Sequence, residues 1–373
     1  MSGVAGWKPL AAAVVLSFAV IGCGNTVGEG TPQAQGGKGG GAEAAQSINA
    51  AGASFPAPFY TAAFQEFAEE SGIQVNYQSI GSSGGREQFI QKAVAFGASD
   101  APMDEEEEQQ AGGGPRHIAT VGGAVCAAYN LEDAADMLNL TGDVLADIYL
   151  GNITTWDDPA IAELNPDVQL PSDEIAVVHR SDGSGTTEIF TSYLAAVNPA
   201  WEGGPGAGSE IRWPTGIGAD GNEGVAGQVQ QTPNSIGYVA YEYAAENDLN
   251  CAAIGEGSGN FVESSVETAE AAIAAADIPE DLKVVVSSTN PQGENVYPIT
   301  GFTWLLVRTQ MEDLAECKAV AEAAWYLTHD AQSRAAELNY VPVPDNVVSR
   351  DEEFIRSMQA EGQPCYGGGG ETT

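Results

Sequence analysis

The pattern that most limits the fold of this chain is a strand, a glycine- and serine-rich turn and a helix, and it occurs twice. Residues 73–79 alternate apolar and polar side chains, as a strand does, and a turn at 81–85 follows. A second apolar strand is predicted at 175–178, with a turn at 182–186. The following helices carry apolar residues at helical spacing: Phe89, Ile90, Ala93 and Val94 in the first, and Ile189, Phe190, Tyr193, Leu194 and Val197 in the second. This predicts the α/β fold class, whose ligands usually bind beyond the carboxyl ends of the strands.

The two turns have the chemistry of an anion site. A helix N-terminus presents unpaired N–H groups and a partial positive charge, glycine lets a ligand approach the backbone, and serine adds a hydroxyl. One such turn by itself is typical of an ordinary N-cap. Arg180, one of only 13 Lys and Arg residues, precedes the second turn, and Asp182 could hold its guanidinium in place. The combination favours an oxyanion site, and a surface ion pair remains the alternative for Arg180.

Net charge narrows the range of partners. The chain has 52 acidic and 13 basic residues, a formal charge of -39. Binding to nucleic acid through a basic surface needs clustered Lys and Arg, so we expect no nucleic-acid partner. An apolar content of 43% argues against disorder, and 373 residues favour two domains. The acidity serves either solubility or adaptation to high salt, as in the acidic proteome of a halophile.

The N-terminus is predicted to direct export. Lys8 precedes an apolar run at 10–21 that is too short to span a bilayer, so residues 1–22 are predicted to be a signal peptide. The run ends in Val20-Ile21-Gly22-Cys23, which resembles the lipobox of bacterial lipoproteins and makes Cys23 the predicted lipidation site. A plain secretory signal is the alternative. The glycine-rich residues 23–47 would then be a flexible tether to a membrane.

Four further cysteines lie in the exported part, namely Cys126, Cys251, Cys317 and Cys365. Export permits disulfides, and four cysteines allow three pairings. We favour Cys126–Cys251 and Cys317–Cys365, because the second pair could fasten the C-terminal tail to a late helix. No two of these cysteines are close in sequence and the three histidines are scattered, so we expect no metal site and no cofactor.

Six motifs occur together in order: Ala51-Gly-Ala-Ser-Phe-Pro-Ala-Pro58, Tyr77-Gln-Ser-Ile-Gly-Ser-Ser-Gly-Gly85, Phe96-Gly-Ala-Ser-Asp-Ala-Pro102, Arg180-Ser-Asp-Gly-Ser-Gly-Thr186, Gly221-Asn-Glu-Gly224 and Ser235-Ile-Gly-Tyr-Val239. In this combination the chain closely resembles the phosphate-binding proteins of bacterial phosphate-specific ABC transporters, over about residues 48 to 350. The resemblance implies a two-lobed periplasmic binding protein fold of type 2, with the ligand in the interlobe cleft.

The same resemblance implies the domain organisation and the partners. Lobe 1 would comprise residues 48–126 and 297–365, and lobe 2 residues 127–296. The glycine-rich residues 366–373 lie outside the resemblance and are predicted to be a disordered tail. The protein would bind inorganic phosphate outside the cytoplasm and deliver it to the permease subunits in the membrane. It would be a monomer without catalytic activity.

The ligand residues are implied in the same way. Hydroxyl and backbone N–H donors would come from Ser54, Phe55, Ser82, Ser184, Gly185 and Thr186. Arg180 would be the cationic ligand, with Asp182 as its orienting partner. Position 54 is serine where the family often has threonine, which keeps the hydroxyl donor.

Asp100 would be the one acceptor in the site. An ionised carboxylate only accepts hydrogen bonds, and dibasic phosphate keeps a proton to donate whereas sulfate does not. Sulfate would therefore be rejected by repulsion. Outside the motif, a turn or cap residue would be an equally good interpretation of Asp100.

Two alternatives compete with phosphate capture. One is a serine-dependent phosphate-ester hydrolase with Ser184 as nucleophile, which would need a base such as His117 or His179 within hydrogen-bond reach. The other is the same scaffold binding another oxyanion, or acting as a sensor or adhesin. Among the remaining residues, 104–108 are predicted to form a solvated acidic segment. Arg86, one turn into the helix after Ser82, is predicted to lie at the surface, and the alternative is that it adds positive potential to the cleft.

Overall fold

The computed structural model describes residues 43–131, 138–255 and 259–367. The predicted signal peptide, the lipidation site Cys23, most of the tether and the end of the tail lie outside these residues. Within them, no helix combines the length and the apolar character needed to cross a membrane.

The strands are β1 (Ser47–Gly52), β2 (Gln74–Ser79), β3 (Phe96–Ser99), β4 (Pro115–Asn130), β5 (Asn139–Thr141), β6 (Ala176–Arg180), β7 (Ile217–Ala219), β8 (Ser235–Ala240), β9 (Asn250–Cys251), β10 (Ala253–Gly255), β11 (Phe261–Val262), β12 (Thr300–Arg308), β13 (Gln310–Met311), β14 (Gln359–Ala360) and β15 (Gln363–Pro364). The helices are α1 (Ala57–Ser71), α2 (Ser82–Ile90), α3 (Glu105–Ala111), α4 (Gly142–Leu150), α5 (Pro159–Ala162), α6 (Gly185–Val197), α7 (Pro199–Glu202), α8 (Gly221–Gln231), α9 (Tyr241–Glu246), α10 (Val266–Ala275), α11 (Leu314–Thr328), α12 (Gln332–Glu337) and α13 (Asp345–Arg356), and a 3-10 helix spans Val286–Thr289.

One mixed sheet organises the chain, in the order β2-β1-β3-β12-β4-β8-β6-β7, with β9 also paired to β4. The long strand β4 joins its two halves, because residues up to Ala124 pair with β12 and residues from Val125 onward pair with β8. We call the part built on β1, β2, β3 and β12 the first lobe, and the part built on β6, β7 and β8 the second lobe. The lobe boundaries given above stay predictions.

Each lobe contains its own set of parallel strands. Strand β1 runs parallel to β2 and β3, and β6 runs parallel to β7 and β8. Parallel strands end at a common edge, so the segments after β1, β2 and β3 meet in the first lobe and those after β6, β7 and β8 meet in the second. All the residues predicted to bind a ligand follow one of these strands.

The sequence signals around α1 explain how the first of these segments is held. Phe59, Ala63 and Phe67 recur every four residues and are all buried, so the helix packs against the core by one face. A proline in its first turn suits a helix start, and Gly72 ends the helix in the left-handed conformation with φ 76°. The preceding loop is thereby fixed at the edge of the sheet.

Both predicted disulfides are confirmed. Cys126 on β4 bonds to Cys251 on β9, with 5.6 Å between the Cα atoms. Cys317 on α11 bonds to Cys365 just after β15. The second bond fastens the end of the described chain to a late helix, as expected, and the next residue, Tyr366, stacks on Trp325 of that helix.

Two expectations about the first strand–turn–helix unit are wrong. The helix α2 ends at Ile90, so Ala93 and Val94 lie beyond it. The chain reverses there because Lys92 takes a left-handed conformation with φ 57°, which starts the turn into β3. Arg86 is buried and only 8% exposed, because it points inward among polar partners described below.

Candidate ligand-binding site

The site residues predicted from the sequence are brought together where the two sets of parallel strands end. The eight residues predicted to contact the ligand are all buried, and Asp182 is partly buried. Gly185 of the second lobe lies so close to Asp100 of the first that a Cβ atom on it would stand 2.5 Å from the Cβ of Asp100. Only glycine permits this approach, and it closes the cleft between the lobes at that point.

The loop between β1 and α1 is held by tyrosines from outside the loop. The carbonyl of Ser54 accepts a hydrogen bond from the hydroxyl of Tyr243 at 2.7 Å, and that of Phe55 accepts one from Tyr340 at 2.7 Å. Because both carbonyls accept hydrogen bonds from tyrosines outside the loop, the orientation of the loop is fixed. Its N–H groups and the Ser54 hydroxyl are placed at the edge where β3 and β6 also end.

Asp100 follows β3 and is anchored by the first residue of α2. The Ser82 hydroxyl oxygen accepts the N–H of Asp100 at 3.1 Å and lies 3.5 Å from its Oδ2 as a donor. The other carboxylate oxygen, Oδ1, is buried and has no hydrogen-bond partner among the described residues. Burial raises the pKa of Asp100 to about 7, although the positive charges of Arg180 and Arg86 act in the opposite direction.

Arg180 ends β6 and is held by Asp182. Its Nε donates to Asp182 Oδ1 at 2.6 Å and its Nη2 donates to Oδ2, a bidentate pair. Burial alone would lower the pKa of Arg180, but the hydrogen bond and charge of Asp182 raise it. The carboxylate of Asp182 also accepts the N–H of Gly221 at 3.2 Å, and the guanidinium lowers its pKa despite partial burial. The remaining nitrogen of Arg180, Nη1, is buried without a partner among the described residues.

The N-terminus of α6 supplies the remaining predicted residues. Ser184 is its N-cap, because the side-chain oxygen accepts the N–H of Thr187 at 3.1 Å. The N–H of Ser184 itself donates to the carbonyl of Ser209 at 2.9 Å. Gly185 and Thr186 begin the helix, where N–H groups have no partner within the helix.

Asn222 is a polar residue of the site that the sequence reasoning did not assign. Its backbone and side-chain N–H groups both donate to the Ser54 hydroxyl oxygen, at 3.1 and 3.0 Å, and the side chain also donates to Thr186 Oγ1 at 3.1 Å. Its own oxygen accepts the N–H of Ala240. It connects the two lobes across the cleft. The motif at residues 221–224 and its position after β7 were the signals that could have identified it.

The histidines are not placed to make Ser184 a nucleophile. The His179 ring stacks on Trp213 and its Nδ1 lies 2.9 Å from the carbonyl of Arg180. His117 is buried, burial lowers its pKa to about 3, and its Nε2 accepts the N–H of Met103. Because the Ser184 oxygen caps its own helix, the geometry favours binding through hydrogen bonds over nucleophilic attack.

The site therefore combines one buried acceptor, one buried guanidinium and the start of two helices. Asp100 Oδ1 and Arg180 Nη1 are among the buried atoms that have no hydrogen-bond partner within the described residues, and they come from different lobes. Buried polar groups of this kind require hydrogen bonds. A small anion that still carries a proton would satisfy both, since it can accept from Arg180 and donate to Asp100.

Comparison with known proteins identifies the family. A model of the PBP superfamily domain matches residues 37–324. The phosphate-binding protein PstS of Pasteurella multocida is 43% identical over 82% of this chain and 89% of its own length, and that of Haemophilus influenzae is 42% identical over 82% and 91%. A solved phosphate-binding protein from Stenotrophomonas maltophilia, 19% identical, matches 84% of this chain and 94% of its own with a TM-score of 0.63, which supports the two-lobed fold. The chain belongs to the PBP superfamily and, within it, to the family of phosphate-binding proteins PstS.

Proposed function

We propose that this protein captures inorganic phosphate in the interlobe cleft and delivers it to the permease of an ABC transporter, without catalysis. The relatives that this chain matches over most of their length are named phosphate-binding proteins. The observation that carries the proposal is the pairing of Asp100 and Arg180, two buried charged groups from different lobes that each have one atom without a partner among the described residues.

Phosphate fits this pair better than sulfate does. Dibasic phosphate accepts from the guanidinium and donates its proton to the carboxylate of Asp100. Above pH 7, where Asp100 is ionised, sulfate has no proton to donate, so its oxygen would face a carboxylate oxygen in a buried site and the two would repel. Arsenate carries the same protons as phosphate, so only its size can weaken binding.

The other ligand contacts are proposed from the geometry of the loop and the two helix starts. Ser54 and Phe55 donate from the loop between β1 and α1, and Ser82 donates from α2. Ser184, Gly185 and Thr186 donate from the N-terminus of α6 and complete the proposed phosphate site. Asp182 holds Arg180, and Asn222 holds the hydroxyl of Ser54.

Titration calorimetry with phosphate, sulfate, arsenate and molybdate tests the function. We expect phosphate to bind tightly and sulfate weakly. Tight sulfate binding would refute the role of Asp100, and an absence of phosphate binding would refute the function. A phosphate-ester turnover assay in the same buffer separates capture from hydrolysis, since turnover that Ser184→Ala abolishes would support the hydrolase instead.

We also propose an extracytoplasmic location with a lipid anchor on Cys23, and a monomeric state. The sequence at 20–23 supports the anchor, and the glycine-rich sequence that follows Cys23 would provide a tether that ends before β1 begins at Ser47. Radiolabelled palmitate incorporation in cells tests the anchor, with Cys23→Ser as the control that should remove the label. Light scattering of the purified protein tests the monomeric state.

A further inference from the structure

Arg86 is a buried cation that the ligand site as described does not use. It lies on α2 and is 8% exposed. Its guanidinium donates hydrogen bonds to four side chains on four separate segments, namely Glu107, Ser99, Ser83 and Ser209. A buried arginine with this many partners fixes the relative position of the segments that it joins.

Two of these bonds support the part of the first lobe that carries Asp100. Nε of Arg86 donates to Glu107 Oε1 at 2.9 Å, and Nη1 donates to Ser99 Oγ at 3.3 Å. Glu107 belongs to the capping box of α3, and Ser99 is the residue just before Asp100. Arg86 therefore braces the turn that carries the selectivity residue without bonding to that residue.

The third and fourth bonds reach the cleft and cross it. Nη2 of Arg86 donates to Ser209 Oγ of the second lobe at 3.1 Å and to Ser83 Oγ of its own helix at 3.4 Å. The N–H of Ser83 donates across the cleft to the carbonyl of Gly183 at 3.0 Å. The carbonyl of Ser209 accepts the N–H of Ser184, so Ser209 connects Arg86 to the start of α6.

The charge of Arg86 also acts across the cleft. Glu188, in the first turn of α6, is partly buried, and burial raises its pKa while the charge of Arg86 opposes that rise. Glu107 already pairs with Arg86 within the first lobe. The attraction between Arg86 and Glu107 persists in an open cleft, whereas its attraction to Glu188 of the second lobe weakens as the cleft opens.

We propose that Arg86 is an interlobe latch, a positioning residue that holds the cleft closed around the ligand through Ser209 and thereby slows release. The latch deepens the proposed function and rests on it. Opening the cleft breaks the bond from Arg86 to Ser209 but leaves those to Glu107 and Ser99. The latch therefore acts on the dissociation rate, whereas association, which takes place with the cleft open, is unaffected.

Stopped-flow measurement of phosphate association and release tests the latch on the full protein. We expect Arg86→Ala to accelerate release by about tenfold, as loss of a hydrogen bond with a charged donor does, with association changed by less than about twofold. Ser209→Ala removes only the hydroxyl and keeps the carbonyl that holds Ser184, and should accelerate release by several-fold. The double variant should be little faster than Arg86→Ala alone, because both changes break one bond.

Two control variants test whether a positive charge alone is enough to slow release, and whether removal of any arginine has the same effect. Arg86→Lys should release phosphate at a rate between those of the wild type and Arg86→Ala, because an ammonium cannot bond to four separated side chains as the planar guanidinium does. Arg212→Ala, at an exposed arginine of the second lobe, should release phosphate at the wild-type rate. Circular dichroism checks that each variant folds.

Small-angle X-ray scattering with and without phosphate tests the latch independently of the proposed function. We expect Arg86→Ala at saturating phosphate to have a larger radius of gyration than the wild type. If Arg86→Ala and Ser209→Ala both release phosphate at the wild-type rate and have the wild-type radius of gyration, the latch is wrong and the proposed function still stands. Failure of the wild type to bind phosphate in calorimetry would instead overturn the function, and with it the latch.

Discussion

The two helix starts that face each other across the cleft look alike in sequence and differ in what their serines do. At α2 the residue before the helix is Gly81, with φ 79°, and no side chain caps the helix. The hydroxyl of Ser82 is bonded to Asp100 instead. At α6 the hydroxyl of Ser184 caps its own helix through the N–H of Thr187.

This difference assigns separate tasks to the two lobes. The first lobe uses its serine to orient a buried carboxylate, which under the proposed function is the acceptor that distinguishes a protonated from an unprotonated anion. The second lobe uses its serine for helix stability and presents Arg180, the group that attracts any oxyanion. Affinity should therefore depend most on the second lobe, and selectivity on the first.

The largest effect is expected from Arg180→Ala. Removing the guanidinium deletes the cationic ligand and leaves the carboxylate of Asp182 buried without its bidentate partner. Losing one partner of a buried charge pair costs about 2–5 kcal/mol, so phosphate affinity should fall by about thirtyfold or more, measured by calorimetry. Arg212→Ala is the matched control and should bind normally. An unchanged affinity in Arg180→Ala would mean that the second lobe does not provide the cationic ligand.

Asp100→Asn should change selectivity more than affinity. The amide can donate to sulfate, so the preference for phosphate over sulfate should fall by about tenfold to a hundredfold, with a smaller loss of phosphate affinity. Competition calorimetry with the two anions measures both. If the variant kept the wild-type preference, the first lobe would not be the source of selectivity.

The same substitution should stabilise the protein without ligand at alkaline pH. The pKa of Asp100 is about 7 in the fold against its ordinary 3.8, so its protonated form stabilises the fold fully below 3.8 and this contribution is lost as the pH rises towards 7. The cost of the buried charge above pH 7 is then about 4 kcal/mol at most. Asp100→Asn should therefore have a higher Tm than the wild type at pH 8, with a gain that shrinks towards pH 4. A gain independent of pH would contradict this account.

Ser82→Ala and Ser184→Ala compare the two helix starts directly. Ser184→Ala loses an N-cap, which costs about 1 kcal/mol, so it should lower the Tm by a few degrees and weaken all oxyanions similarly. Ser82→Ala leaves the N–H of Asp100 without its acceptor and should weaken phosphate relative to sulfate. Equal effects of the two variants on the preference between these anions would show that the serines play the same part.

The smallest expected effect is that of salt concentration on the association rate of phosphate. With a net charge of -39, the field of the whole protein opposes the approach of an anion, and salt screens that field. The association rate of phosphate in stopped flow should therefore stay constant or rise by a few-fold as salt increases. A steep fall with salt would indicate a basic entry surface.

Much of the site could be predicted because it follows local patterns. The turns at 81–85 and 182–186 begin helices where predicted, and the motif match extended this to Ser54 and Asp100. Asn222 was missed although its motif was noticed, because nothing local indicates that its side chain bonds to Ser54, 168 residues away in sequence. Arg86 was placed at the surface because a charged residue on a short helix is usually solvated, and its partners Ser99 and Ser209 come from other segments.

The sequence by itself determined the alternation of strands and helices, the two glycine- and serine-rich turns that begin helices, the net negative charge and, through its motifs, the family. These features depend on neighbouring residues, whose spacing is fixed by the geometry of a strand or a helix. Only the tertiary structure decided how the lobes meet, with Gly185 against Asp100, Asn222 on Ser54 and Arg86 on Ser209. Those contacts join segments far apart in the chain, and they form only when the sheet has brought the ends of its two parallel sets together.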